Sequence, residues 1–288
     1  MRYDFIEHHR AMWRVRVMCR TLCVSKAGYF RWRHRMPSAR QKKDATLKAE
    51  ITTIYNRSRQ TYGSPRVTAA LRQQGHLVSR KRITRLMQSC GLRSVHKPRF
   101  VVTTNSRHSH PIAENALDRH FAPGALNERL VTDITYISTD EGWLYLAAVM
   151  DLGSRKIIGW AMDRIMDTAL ITNALDMAAI ERPAMTGALH HSDRGSQYAS
   201  EAYRQTIQDY GLTSSMSGAG CCYDNAAMES FFHSLKVELV HRHRFTTRIQ
   251  ARQDIFEYIA VFYNRVRLHS ALGYVSPEQY ERQLNAVS

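Results

Sequence analysis

The run Leu130-Val131-Thr132-Asp133-Ile134-Thr135-Tyr136-Ile137 decides how the rest of this 288-residue chain folds. It reads as a short strand, apolar and β-branched, broken by one carboxylate. Two further strand-like runs follow closely, at 144–151 and 157–162, joined through Asp140-Glu141-Gly142 and Gly153-Ser154. Connections that tight imply antiparallel pairing. The pattern then changes to a helix over 168–180, a strand over 188–191, a helix over 200–210 and a strand over 213–216. Strands separated by helices call for parallel additions to the same sheet. A mixed α/β sheet flanked by helices is expected.

Asp133 is one of three acidic residues that sit in well-marked phrases. The second is Asp193, in Leu189-His190-His191-Ser192-Asp193-Arg194-Gly195-Ser196-Gln197-Tyr198. The third is Glu229, in Asp224-Asn225-Ala226-Ala227-Met228-Glu229-Ser230-Phe231-Phe232. Two strands and a helix delivering carboxylates suit hard divalent cations, which take oxygen ligands and keep positions open for phosphate. On the helix, Met228, Phe231, Phe232, Leu235 and Leu239 share one arc, while Glu229, His233 and Lys236 share the next. Lys236 is the candidate phosphate binder beside the carboxylates; the plainer alternative is a solvated face of an amphipathic helix. His190 and His191 read as structural, Asp151 as a turn or ion-pair residue, and Asp224 as a helix-start carboxylate. Asn225 reads equally as a residue orienting the loop or the helix start and as a plain N-terminal residue of the helix.

From about 127 to 277 the chain resembles the catalytic region of bacterial insertion-sequence transposases with a retroviral-integrase-type core. It is most similar to the downstream-frame (OrfB) protein of elements with two overlapping frames. The phrases that carry the resemblance are Thr132-Asp133-Ile134-Thr135-Tyr136-Ile137, Gly142-Trp143-Leu144-Tyr145-Leu146-Ala147, the two phrases around Asp193 and Glu229, and Tyr263-Asn264-Arg265-Val266-Arg267-Leu268-His269-Ser270. The resemblance implies a ribonuclease-H-like sheet in which the first and fourth strands are neighbours, bringing Asp133 and Asp193 together beside Glu229. It also implies that these three residues are catalytic and hold two Mg2+ ions, with Mn2+ able to substitute. The implied reaction is metal-dependent 3′-end cleavage and strand transfer on double-stranded DNA, at element ends and target. Implied partners are further copies of the chain on DNA, and an upstream-frame protein or frameshift fusion. Two competing readings are a metal nuclease of the same fold and a DNA-binding regulator with an inactive core. Relatives commonly carry tryptophan where Leu130 stands, so β-strand packing there is expected to soften by about 1–3 kcal/mol unless neighbours fill the space. They also usually place a basic residue in the loop at Gly218 or Ala219.

Charge divides the chain. Residues 1–100 carry a balance of +20 and the remainder −4, and no acidic residue occurs between Ile51 and Ala113. A cationic module joined to an acidic-site module suits an enzyme acting on nucleic acid. The expected organisation is a basic helical arm at 1–40, a helix-turn-helix-like DNA-binding region at 41–96, a linker at 97–125, the catalytic core at 126–241 and a helical extension at 242–288. In the arm a helix over 5–20 precedes a turn at Leu22–Ser25, and Ser25 caps a helix over 26–35. In the second region Ser79 caps a cationic helix, from which Lys81, Arg82 and Arg85 are candidates for DNA contact. The linker offers Arg107, His108 and His110. The tail offers Asn264, Arg265, Arg267 and His269. His8, His9, Cys19 and Cys23 are spaced poorly for structural zinc. No run approaches the ~20 apolar residues of a membrane span, and a soluble, nucleoid-associated cytoplasmic protein is expected.

Overall fold

The computed structural model describes residues 1–95, 113–118, 120–218 and 225–286. The chain forms two compact units, Met1–Ile51 and Thr52–Ser288. Arg107, His108, His110, Ala219 and Asp224 lie outside the described residues.

In the first unit, α1 (Arg2–His9) and α2 (Val15–Thr21) replace the single helix expected over 5–20. The amides of Met12 and Trp13 both bond back to the His9 carbonyl, and Arg14 is extended, so the chain turns. That turn lets Ile6, Met18, Cys19 and Tyr29 share one small core with α3 (Lys26–Arg33). The Ser25 hydroxyl accepts the Gly28 amide at 2.9 Å and caps α3. Cys23 takes a positive φ of 51° at the preceding turn, a conformation that favours glycine. Helix α4 (Ala39–Arg57) then runs across the boundary between the units.

In the second unit, α5 (Ser64–Gln73) begins with Pro65 in its first turn, where a missing N–H costs nothing. Helix α6 (Arg80–Ser89) is capped by Ser79. Val67 and Leu71 of α5 and Ile83, Leu86 and Met87 of α6 are buried. The sheet follows as β1 (Arg129–Thr139), β2 (Gly142–Asp151) and β3 (Ile157–Asp163), paired antiparallel. Helix α7 (Thr168–Glu181) leads to β4 (Leu189–Ser192), and α8 (Glu201–Asp209) to β5 (Thr213–Met216), both strands added in parallel. The strand order is β3-β2-β1-β4-β5, so the first and fourth strands are neighbours.

Helices α7 and α8 cover one face of the sheet. Leu130, Ala147, Val149 and Ile158 pack there with Leu170, Ala174 and Tyr203. Leu130 is fully buried in this cluster, which occupies the space around the smaller side chain. At Gly159 any Cβ would come within 2.2 Å of the Ala174 carbonyl, so glycine sets how closely α7 approaches β3. Helix α9 (Ala226–Glu238) contacts β1, and α10 (Arg248–Phe256) contacts β1 and β2. A π-helical turn, Glu257–Tyr263, and α11 (Pro277–Asn285) complete the tail. Asp151 is a turn residue: its carboxylate accepts the amides of Asn127 and Gly153. Among the described residues no helix is long and apolar enough to cross a membrane.

Candidate active site

Strand alternation sends Leu130 to the α7–α8 side, and Asp133, an odd number of residues on, to the opposite face. The parallel β1–β4 register pairs Arg129 with Leu189 and Val131 with His191. Asp193 follows directly on the end of β4, two positions beyond His191, and its charge acts on Asp133. The Asp193 Oδ1 accepts the Gly195 amide at 2.8 Å, and the Asp133 Oδ1 accepts the Ile134 amide at 2.8 Å. Gly195 leaves this space open: a Cβ there would stand 3.0 Å from the Asp193 Oδ1.

Helix α9 brings the third carboxylate and is fastened to β1 at two places. Near its start, the buried Asn225 donates from Nδ2 to the Thr132 carbonyl at 3.0 Å, one residue before Asp133. Near its end, the Lys236 ammonium lies 4.7 Å from the centroid of the Tyr136 ring. Glu229 lies between these two attachments. Behind β1, the Tyr198 hydroxyl meets the Thr132 hydroxyl at 3.2 Å.

The electrostatics join these groups. Burial, and then the negative charge of Asp193, hold the Asp133 carboxyl well above its ordinary pKa; Glu229 adds to the rise, and the Ile134 amide and Lys236 oppose it. Burial also raises Glu229. Lys236 is lowered by burial and partly restored by Asp133. Acidic groups that burial and mutual repulsion destabilise, offering oxygens, form a donor set that fits a hard divalent cation. Among the described residues no three His, Cys, Asp or Glu side chains already enclose a single metal position. The arrangement is therefore a buried Asp133 on which the charges of Asp193 and, from α9, Glu229 both act.

The histidines before Asp193 serve the core. His190 is buried with its Nε2 3.1 Å from the Tyr203 hydroxyl, and burial first, then His191, push its pKa down to about 3. His191 lies between the hydroxyls of Ser215 and Ser217.

The candidate DNA contacts separate into surface and interior groups. Lys81 and Arg85 are exposed on α6 and Arg82 is half-buried. Arg265 is exposed, 3.5 Å from Glu278. Asn264 and Arg267 are corrected by the structure: both are interior groups. The Asn264 amide bonds both backbone groups of Ile157. Arg267 forms a bidentate pair with Glu238 and reaches the Ser234 hydroxyl. Their hydrogen-bonding groups are spent on holding the tail to the core. His269 is also buried, against the Tyr263 ring. Asn225, Tyr198 and Gly195 were all present in the marked phrases, but the partners of Asn225 and Tyr198 are tertiary and no spacing signals them, whereas Gly195 serves Asp193 two residues before it.

Residues 124–222 match the integrase core domain family, and residues 229–284 match a second family also described as an integrase core domain. Residues 41–100 match an HTH-like domain. Fold, acidic site and these matches define the class: a transposase or integrase core of the polynucleotidyl transferase type, with an HTH-like region. The transposase InsF of insertion sequence IS3A from Escherichia coli K12 is 42% identical over 285 residues, covering 98% of this chain and 99% of that protein. A 31 kDa protein of insertion element IS600 from Shigella sonnei is 43% identical over 271 residues, covering 94% and 100%. The chain belongs to the InsF-like family of insertion-sequence transposases. Among solved structures, a simian T-cell lymphotropic virus intasome aligns with a TM-score of 0.47 at 14% identity, over 74% of this chain and 69% of that one. A magnesium-bound HTLV-2 integrase catalytic core aligns at 0.41 and 12%, over 54% and 96%.

Proposed function

We propose that Asp133, Asp193 and Glu229 form the catalytic centre of DNA transposition, acting in 3′-end cleavage and then strand transfer. The observation that supports this reading is the parallel pairing of β1 with β4, which sets the strand of Asp133 beside the strand leading into Asp193, while Asn225 ties the start of the helix bearing Glu229 to β1. The three carboxylates would hold two divalent cations, Mg2+ or in its place Mn2+. Cations bound there would supply Lewis acidity for the attacking and leaving oxygens of a phosphodiester.

The protein's own groups have definable tasks. Asp133, inside β1, and Asp193, just past the end of β4, offer a pair of carboxylates on rigid backbone. Glu229 completes the set from α9. Lys236 balances negative charge at the phosphate as a compact cation. In cleavage, a water oxygen bonds to phosphorus at the element end and the P–O3′ bond breaks, leaving a 3′-hydroxyl and a 5′-phosphate. In strand transfer that 3′-hydroxyl attacks a phosphodiester of the target, and the target's own 3′-oxygen departs.

Lys81, Arg82 and Arg85 of the 41–96 region are proposed to grip DNA, with Arg265 as a further surface cation. Copies of the chain would assemble on the two element ends, with an upstream-frame partner or fusion aiding end recognition, in the bacterial cytoplasm at the nucleoid. Labelled element-end DNA with Mg2+ tests the reading. Joined strands support it, shortened strands alone indicate a nuclease, and neither product indicates a DNA-binding protein with an inactive core. Asp133→Asn is expected to abolish joining while leaving DNA binding intact.

A further inference from the structure

A second site lies on another flank of α9. A cavity of about 620 Å3 opens between that flank, the start of α5 and the turn Ser270–Leu272. Its volume falls in the range of small-ligand pockets. Neither Asp133, Asp193 nor Glu229 lines it.

Its chemistry is that of an anion site. Arg66, Arg155 and Arg267 line it against one carboxylate, Glu238, whose oxygens are already taken by Arg267 and Tyr258. Gly63, the residue before the ten-residue α5, lines it too, with Pro65 and Arg66 of the helix's first turn, and no side chain caps that helix. An uncapped N-terminus carries amides and partial positive charge suited to phosphate. Two lining groups have buried polar atoms without a hydrogen-bond partner: the Arg155 Nε and the His269 Nε2. His269 is only 9% exposed. Buried polar atoms in native proteins are almost always satisfied, so these two point to a missing partner.

His269 narrows the ligand. Burial first, then Arg267, Arg66 and Arg155, keep it well below its ordinary pKa and therefore neutral. Its Nε2 lines the cavity without a partner. The ligand must then present negative charge to the arginines and the helix end and reach the buried atoms of Arg155 and His269. A terminal phosphate monoester brings about −1.5 to −2 charge and three strong acceptor oxygens; a backbone diester brings one charge and two free oxygens. We propose that this cavity binds a phosphate monoester, the 5′-phosphorylated strand end that cleavage releases. The assignment of that ligand rests on the transposition reading above.

The test uses the full chain in EDTA and two short single strands of one sequence, one with a 5′-phosphate and one with a 5′-hydroxyl, measured by fluorescence anisotropy. Wild type is expected to prefer the phosphorylated strand by about tenfold, the scale of one charge-assisted hydrogen-bond cluster. His269→Phe, which keeps a ring against Tyr263, and Ala271→Glu, at an exposed lining position, should each lose that preference. Ala271→Gln should keep it. Equal binding of both strands by wild type overturns the proposal, as does a preference that survives both variants. Competition by inorganic phosphate without any strand preference would assign the cavity to free phosphate and also overturns it. Should His269→Phe fail to fold, Ala271→Glu decides alone. Strand joining with no preference removes only this inference; a preference without joining removes the transposition reading instead.

Discussion

Asn225 bonds the residue before Asp133, and Gly195 stands two residues after Asp193. Removing the Asn225 amide frees the start of α9 from the Thr132 carbonyl and lets Glu229 drift. Asn225→Ala should therefore lower strand joining by about 10–100-fold, the usual loss for a group that orients a metal ligand. Its cost to stability should be about 1–3 kcal/mol, from the acceptor left without its partner. Joining assays and chemical denaturation of the same preparation separate the two effects. Gly195→Ala places a methyl 3.0 Å from the Asp193 Oδ1. Small displacements of reacting groups cost up to about a hundredfold in rate, so joining should fall within that range with little change in melting temperature. At this scale the sequence singled out the carboxylates, because each lies in a distinctive phrase. It was silent about Asn225, whose partner lies 93 positions away, and misleading about Asn264 and Arg267. Polar residues in a tail look exposed until tertiary contacts bury them.

Secondary-structure elements meet most tightly at two points. Gly159 admits the α7 backbone, and Gly159→Val should destabilise the fold by about 1–3 kcal/mol through overpacking, read from urea midpoints. The Glu238–Arg267 pair joins the end of α9 to the tail. Burial opposes the charge on Glu238, but Arg267 and Tyr258 outweigh it and hold the carboxyl below its ordinary pKa. A depressed carboxylate contributes stability above its unfolded value, about 4.3, and loses it as pH falls through the folded value. Glu238→Gln strands a buried arginine and should cost about 3–5 kcal/mol at pH 7. The deficit should shrink as pH drops below about 4, measured by denaturation from pH 7 to 3. The sheet strands were legible because their apolar runs are short and bounded by glycine and acidic turns. The break between α1 and α2 was not, because it serves the packing of Ile6 against Met18 and Tyr29 rather than any local propensity.

Across the whole molecule, charge and fold divide the labour: a basic N-terminal third and an acidic-site core. An assembly that engages about six to ten phosphates should lose about 10³–10⁵ in affinity between 50 and 200 mM salt. A flat salt dependence would remove phosphate contact as the basis of binding. The strand order was accessible from the alternation of strands and helices together with the family resemblance. The division at Ile51 falls inside a continuous helix and was not read from the sequence, although the stretch free of acidic residues begins there.

The most direct measurement is a crystal structure of the full chain with Mn2+, read by anomalous scattering. The account predicts density bonded to the carboxylates of Asp133 and Asp193, with Glu229 drawn in as a ligand, and its loss in Asp133→Asn. Manganese bound elsewhere, or an Asp133–Asp193 pair that stays empty at saturating Mn2+ while the protein joins strands, would contradict it.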